Sequence, residues 1–380
     1  MRSEKNRELN PREGQLRRGY TTGTCAAAAA KAAAMLALGE EIKEIVVDTP
    51  KGIPLVLDLL DCRTSPKRAS CAVQKDSGDD PDITNGILVY AEVELMESEC
   101  AEILLEGGKG VGRVTLPGLA CPVGQAAINP VPQKMIRQMV SQAFAKLGYE
   151  GGARVTISIP EGENLAKRTY NPRLGIEGGL SVLGTSGIVE PMSEQALIDT
   201  IKVEMDVRKA LGAEYLVLTP GNYGETFLKE HFADKDFYSV KCSNFIGESL
   251  DYAEGQDFKG ILFVGHIGKL VKVAGGIMNT HSKYADARME ILSAHAARFG
   301  AEPELIEALL NSVTTDNAYE VLETYSTELK EQVIKSLMDK IEFHLKSRTH
   351  QHMEIGAIMF SNKHGYLGKT SEVDHILEKL

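Results

Sequence analysis

Tyr215-Leu216-Val217-Leu218-Thr219-Pro220-Gly221-Asn222-Tyr223-Gly224 is the stretch that decides how the second half of this chain is read. Its apolar run predicts a strand over 215–219, Gly221 to Gly224 a tight turn, and Glu225 to Phe232 a helix. The same order recurs twice. Ser239 to Cys242 reads as a second strand with a helix from about Phe245, and Ile261 to Val264 as a third with a helix from about His266. Strand, turn and helix repeated three times predict a parallel doubly wound sheet, a Rossmann-like α/β domain. A helix over 193–211 leads into it; a helical stretch from Arg288 to Lys346 and an apolar run from Ile355 to Phe360 finish it.

Upstream the pattern differs. Ile45 to Asp48 and Ile53 to Leu57 flank Pro50-Lys51-Gly52 and read as a hairpin. Ala69 to Val73, Ile87 to Leu95, Ala101 to Leu105 and Val155 to Ile159 read as further strands, and Met135, Ile136, Met139, Val140, Phe144 and Leu147 recur at helical spacing. This predicts an α+β domain with an antiparallel or mixed sheet and helices to one side. The Gly-rich stretch from Pro172 to Gly187 reads as the crossing, so domains are expected over 1–175 and 176–380.

At 380 residues the chain exceeds one ordinary core. Hydrophobic and charged fractions of 43% and 25% are those of a soluble globular protein. A net charge of −11 argues against a general nucleic-acid binder but leaves an acidic small ligand open, since binding depends on local charge. Met1 to Arg18 lacks the apolar core of a secretory signal, and the run from Cys25 to Leu38 is broken by Lys31 and too short to span a bilayer. No membrane association is expected. The six cysteines (Cys25, Cys62, Cys71, Cys100, Cys121, Cys242) form no Cys-x-x-Cys pair, and the nine histidines form no His-Glu-x-x-His motif. A reducing cytoplasm and no protein-bound metal are the expectations.

Two regions could carry chemistry. Arg17-Arg18-Gly19-Tyr20-Thr21-Thr22-Gly23-Thr24-Cys25, followed by Ala26 to Ala30 and Lys31, reads as a turn entering a helix. Thr22 or Thr24 can cap it, and free N–H groups with Arg17 and Arg18 can receive a carboxylate or phosphate. An ordinary capped helix packed by its small face is the other reading. In the second half Gly221, Asn222, Tyr223 and Gly224, then Ser243 and Asn244, then Gly265 and His266 fall at successive strand ends, where a parallel sheet binds ligands. They suit a nucleoside-type cofactor; short βα turns alone are the other reading. Gly-x-Gly-x-x-Gly is missing, as is an acid at the second strand's end, which argues against a nicotinamide cofactor. Gly108-Lys109-Gly110-Val111-Gly112 fails as a phosphate loop because Val111 to Leu116 reads as strand. The aspartates of 75–84 lack calcium-loop spacing.

The N-terminal segment resembles the signature of the CbiD family, the cobalt-precorrin-5B carbon-1 methyltransferases of the anaerobic cobalamin pathway. Similar stretches follow in order: 75–84, 107–115, Ala127-Ile128-Asn129-Pro130-Val131-Pro132, 183–189, 219–225 and 265–283. The resemblance implies transfer of a methyl group from S-adenosyl-L-methionine to carbon-1 of a cobalt-containing tetrapyrrole. It implies that the strand-end residues hold the methyl donor, and that Asp79, Asp80 or Asp82 orients substrate or meets a cofactor amine. The acetate and propionate arms of a tetrapyrrole call for cations. Arg17, Arg18, Lys31, Arg113, Arg168, Arg173, Lys269, Lys272 and Lys283 lie in or beside the matching stretches, with Thr22, Thr24 and Asp80 completing the expected substrate set. His266 and His281 are candidates for a proton transfer. A non-catalytic corrinoid carrier and a nicotinamide-dependent reductase are the rival readings, and a homo-oligomer stays open.

Overall fold

The computed structural model describes residues 6–11, 14–97, 102–232 and 237–380; Cys100 and Ala101, the start of one expected strand, lie outside them. The chain forms two compact units, Met1–Glu194 and Gln195–Leu380.

The first unit opens with β1 (Gly19–Tyr20), α1 (Thr22–Ala37), the strands β2 (Glu44–Asp48) and β3 (Pro54–Asp58), then β4 (Leu60–Ser65), β5 (Arg68–Gln74) and β6 (Leu88–Met96). It continues through β7 (Ile103–Gly107), β8 (Arg113–Val114), α2 (Pro130–Leu147), β9 (Gly152–Ser158), α3 (Gly162–Ala166), β10 (Ile176–Glu177) and β11 (Ile188–Val189). The main sheet runs β4-β5-β6-β9-β7, antiparallel except for the parallel pair β9–β7, so it is mixed. β2 and β3 form the expected hairpin, with Ile45, Val47, Leu55 and Leu57 buried in alternation. The edge strand β4 is polar and mostly exposed, which hid it from a hydrophobic pattern.

The alanine-rich α1 is the centre of this unit, packed against α2, β5, β6 and β2. Alanine is the best helix former and adds no atoms beyond Cβ, so neighbouring backbones come close. Ala26 to Ala30 and Ala32 to Ala34 are wholly buried. Enlarging one of them would overpack the core by about 1–3 kcal/mol. The slim helix therefore admits protein rather than a ligand. α2 starts on Pro130 and ends on Gly148 at φ +66°, and it buries Met135, Ile136, Met139, Val140 and Phe144.

Two expectations need correction. Residues 176–189 do not begin the second domain. Ile176 pairs with Val114, Ile188 with Tyr20, and isolated bridges join Leu180 to Val111 and Val182 to Ile128. This return strap buries single apolar residues against partners distant in sequence, and the division falls at 194/195 instead of 175/176. The strand expected from Val111 to Leu116 shrinks to β8, and the preceding glycines serve a backbone crossing. A Cβ on Gly110, at φ +73°, would lie 1.8 Å from the Ile159 carbonyl oxygen.

The second unit holds α4 (Glu194–Ala210), β12 (Tyr215–Thr219), α5 (Asn222–His231), β13 (Ser239–Lys241), α6 (Ile246–Gly255), β14 (Gly260–His266) and α7 (Ile267–Ala274). After these come α8 (Arg288–Arg298), α9 (Pro303–Leu310), α10 (Thr315–Tyr325), α11 (Thr327–Arg348), β15 (Glu354–Ser361), β16 (Gly365–Lys369) and α12 (Val373–Lys379). Its sheet is ordered β13-β12-β14-β15-β16; the first four strands are parallel and β16 is antiparallel. Leu216, Ile261, Phe263, Ile355 and Ala357 join one apolar cluster with α4, α6, α7 and α11. Val217, Leu262, Val264 and Ile358 join another with α5 and α12. Burial on both faces explains why these strands read as unbroken apolar runs. The helical stretch from 288 divides into four, because Thr314 and Ser326 cap new helices by accepting from the N–H groups of Asn317 and Leu329.

Candidate active site

The carboxyl ends of β12, β13 and β14 bring together most of the residues expected to hold a cofactor. Gly221 precedes α5, Ser243 and Asn244 follow β13, and Gly265 and His266 end β14. Lys269, one turn into α7, ties two of these ends together. Its Nζ donates to the carbonyl oxygens of Pro220 and, at 3.0 Å, Ser243. Burial pushes this ammonium below its ordinary pKa. Tyr223 is 64% exposed, its ring centroid 6.4 Å from that of His266. Thr219, the last residue of β12, is buried, and its hydroxyl has no hydrogen-bond partner among the described residues.

The two outer glycines of the first turn differ in role. A Cβ on Gly221 would meet nothing within 4 Å, whereas one on Gly224 would lie 2.8 Å from the Thr219 side chain and 2.9 Å from the Val264 carbonyl oxygen. Gly224 lets α5 approach the sheet; only Gly221 borders open space. Ser243 stands at φ +52°. Asn244 accepts from the Thr280 hydroxyl at 3.2 Å, and the Thr280 N–H donates to the Asn244 carbonyl at 3.0 Å. Asn244 thus anchors the loop after α7. Lys272 holds the same loop, donating to the carbonyls of Thr280 and Ala285 at 3.2 and 2.7 Å.

His266 caps α7. Its Nδ1 accepts the Gly268 N–H at 3.1 Å, so the neutral ring carries its proton on Nε2. Burial lowers its pKa, and Asp316 opposes that shift, with Oδ2 standing 3.9 Å from Nε2. A neutral ring with Nδ1 already accepting is a hydrogen-bond donor toward a ligand and is poorly placed as a base. Asp316 in turn accepts from the Ser361 hydroxyl at 2.5 Å, and the N–H groups of Lys363 and His364 donate to that hydroxyl at 3.0 and 3.2 Å. Phe360 packs edge-on to His266 with centroids 5.7 Å apart. Asp316, Ser361 and Thr219 escaped the sequence reading. The one sequence signal near Asp316 is the Thr314 capping position, and that marks any helix start. His281 is exposed, its Nδ1 accepting from the Lys283 N–H at 3.0 Å. No hydrogen bond or ring contact joins it to His266 among the described residues.

Most first-unit candidates are engaged in protein contacts; the exposed Arg168 side chain has none among the described residues. Thr21, not Thr22 or Thr24, caps α1 by accepting from the Thr24 N–H at 3.2 Å. Thr22 and Thr24 are buried; the Thr24 hydroxyl donates to the Gly187 carbonyl at 2.7 Å, and the Gly23 N–H to the Leu183 carbonyl at 3.0 Å. The helix start expected to receive an anion is closed by the return strap. Arg17 makes two bonds to Asp76, at 2.7 and 2.8 Å, and Arg18 pairs with Glu190 at 2.9 Å. Lys31 donates to the Val46 carbonyl at 2.8 Å. Asp80 accepts the Met192 N–H at 2.9 Å and Asp79 the Arg17 N–H at 2.6 Å. For Asp82 burial works against ionisation, but the buried Lys75 ammonium and Thr84 outweigh it and hold its pKa below the ordinary value. Arg113 is exposed and donates to the Gly124 carbonyl at 3.1 Å. Among the described residues no cluster of His, Cys, Asp or Glu is arranged to hold a metal ion.

The model of the CbiD family matches residues 9–191, and that of the CbiD C-terminal domain matches residues 279–371. The cobalt-precorrin-5B C(1)-methyltransferase of Ruminiclostridium cellulolyticum is 51% identical over 92% of this chain and 90% of its own. The chain belongs to the CbiD family. Proteins of the same name from Alkaliphilus metalliredigens and Thermoanaerobacter sp. are 45% and 44% identical over 96% and 95% of this chain, covering 95% and 97% of their own. A crystal structure of the cobalamin biosynthesis protein CbiD from Archaeoglobus fulgidus is 30% identical, spans 72% of this chain and 84% of that one, and has a TM-score of 0.38. Of the CbiD-like stretches, those before residue 190 lie in the first unit, and 219–225 and 265–283 in the second.

Proposed function

We propose that this chain methylates carbon-1 of cobalt-precorrin-5B to give cobalt-precorrin-6A in cobalamin biosynthesis, with S-adenosyl-L-methionine as methyl donor. The observation carrying this is the likeness to cobalt-precorrin-5B C(1)-methyltransferases 44–51% identical over nine-tenths or more of both lengths. The second unit is read as Rossmann-like, with the donor in the crevice beyond β12, β13 and β14. Cytoplasmic location belongs to the same reading; no helix of the described residues is long and apolar enough to cross a membrane.

The crevice fits the donor on three observations. Thr219 offers a buried hydroxyl without a partner, Tyr223 an exposed ring for an adenine face, and Gly221 open space beside a turn. Lys269 is a cation at the strand ends whose third N–H, beyond those given to Pro220 and Ser243, suits the donor's carboxylate. The absence of an acid after β13, where Ser243 and Asn244 stand, makes the ribose contacts different from those of a nicotinamide site. S-adenosylmethionine supplies an electrophilic methyl group. The protein's work is to align it, exclude water and leave the ring carbon free to attack. His266 donates from Nε2 toward a ligand, its ring held by the Gly268 N–H on Nδ1 and by the edge contact with Phe360.

The test uses EDTA-treated, dialysed protein with S-adenosylmethionine and cobalt-precorrin-5B. Methylated product is expected without added metal or nicotinamide. Product only after NADPH or a divalent metal is returned would overturn the simple transferase reading, and macrocycle binding without transfer would favour a carrier.

A further inference from the structure

Arg17, Arg18 and Lys31, the cations of the N-terminal motif, are held by carboxylates or carbonyls, which turns attention to cations elsewhere on the first unit as partners for the acid groups of a tetrapyrrole. A cavity of about 690 Å³ lies on the first unit, between the outer face of α2 and the 118–125 loop. Its polar lining is Gln125, Gln133, Lys134, Arg137, Gln138 and Ser141, with Pro122 and Pro130 as an apolar edge. No carboxylate lines it, although the chain carries a net charge of −11. Lys134 and Arg137 are exposed, and neither enters an ion pair among the described residues.

The walls are built rather than loose. Residues 133, 134, 137, 138 and 141 form one stripe of α2, opposite the buried Met135, Ile136, Met139 and Val140. Arg137 donates to the Gln133 side chain at 3.0 Å, which uses one guanidinium N–H and leaves the rest for a ligand. The Gln133 side-chain amide donates to the Ile128 carbonyl at 2.7 Å. The facing loop is pinned by Arg113 on the Gly124 carbonyl and by the Val114 N–H on the Gln125 carbonyl, at 3.1 and 3.0 Å. Arg113 thus shapes the cavity instead of lining it. The Ala127-Ile128-Asn129-Pro130-Val131-Pro132 stretch supplies the start of α2, whose positive end adds to the local potential.

We propose that this face docks the carboxylate-bearing edge of the tetrapyrrole, with Lys134 and Arg137 receiving acetate or propionate groups and the glutamines taking the remaining oxygens. The inference rests on the proposed substrate class. The cavity is in the size range of ligand sites but open to solvent, so it takes one edge of the macrocycle rather than enclosing it.

The test is equilibrium dialysis of the full chain with cobyrinic acid, a corrinoid with free acetate and propionate groups, and with cobinamide, whose corresponding groups are amidated. Lys134→Glu and Arg137→Glu should each weaken cobyrinic acid binding about tenfold, as for loss of a charge-assisted contact. Lys146→Glu, an equal charge change at the far end of α2, should change it less than about twofold. Lys134→Gln with Arg137→Gln should reproduce the loss without charge reversal, and cobinamide binding should not follow the series. Cobyrinic acid binding that is absent in the wild type, or equal in all variants, overturns the proposal. Binding that depends on these residues without methyl transfer would sink the transferase reading and leave this face standing. Methyl transfer indifferent to the double variant would do the reverse.

Discussion

Replacing Gly78 with alanine should destabilise the first unit far more than the same change at Gly86, eight residues on. Both glycines have positive φ, +66° and +83°, so each alanine carries a conformational penalty, about 1 kcal/mol. The surroundings differ. A Cβ on Gly78 would stand 2.2 Å from the Arg17 carbonyl oxygen and 2.6 Å from the Arg18 carbonyl carbon, whereas Gly86 has nothing within 4 Å. Gly19 faces the crossing from the other side, its Cβ position 2.3 Å from the Asp76 oxygen. Because the colliding atoms are backbone, the two segments must part. The Tyr20 N–H bond to Asp76 and the Asp79 N–H bond to Arg17, 2.8 and 2.9 Å long, are then strained or lost. At about 1 kcal/mol each, with up to about 1 more from the half-exposed Arg17–Asp76 pair, the excess over Gly86→Ala is about 2–3 kcal/mol. For a unit of this size that is a midpoint lower by roughly 5–10 °C. The assay is thermal and urea unfolding of both variants by far-UV circular dichroism and tyrosine fluorescence, the chain having no tryptophan. Equal midpoints would refute the close-crossing account.

Asp82→Asn should cost about 2–3 kcal/mol at neutral pH, because Lys75, 3% exposed, would lose its half-buried ionic partner and keep only the Ser77 hydroxyl. Asp82 titrates below its ordinary value in the fold, so its stabilisation is present above the ordinary value of 3.8 and is lost as pH falls through the folded value; the gap between wild type and variant should close there in acid unfolding curves. His266→Asn keeps a capping side chain, so stability at pH 7 should change little. Since the folded histidine is held below its ordinary 6.5, wild type should lose stability relative to this variant as pH falls below about 6.5, and parallel melting curves from pH 7 to 5 would contradict that. Lys269→Met should raise the dissociation constant for S-adenosylhomocysteine about tenfold by calorimetry; an unchanged constant would move the donor site out of the second unit.

Local periodicity reached a long way into this fold. The spacing of Met135, Ile136, Met139 and Val140, the Ile45–Leu57 hairpin and the strand–turn–helix order from Tyr215 are properties of neighbours in the chain, and each appears where those neighbours place it. The strand-end residues 221–224, 243–244 and 265–266 were legible for the same reason: in a parallel sheet, position along the chain dictates which edge a turn occupies. Partnership across distance was not legible. Arg17 reads as a free cation until Asp76, 59 positions away, is folded against it, and Thr24 reads as a cap until Gly187, 163 positions away, takes its hydroxyl. His266 reads as a candidate for proton transfer in either direction until its own helix takes Nδ1 and the start of α10 brings up Asp316. A side chain's type is written in the sequence, but whether its charge or lone pair is still available depends on what packs against it, and for Arg17, Thr24 and His266 the decisive partner stands on a segment that only folding brings near or on a backbone N–H that only the folded helix presents.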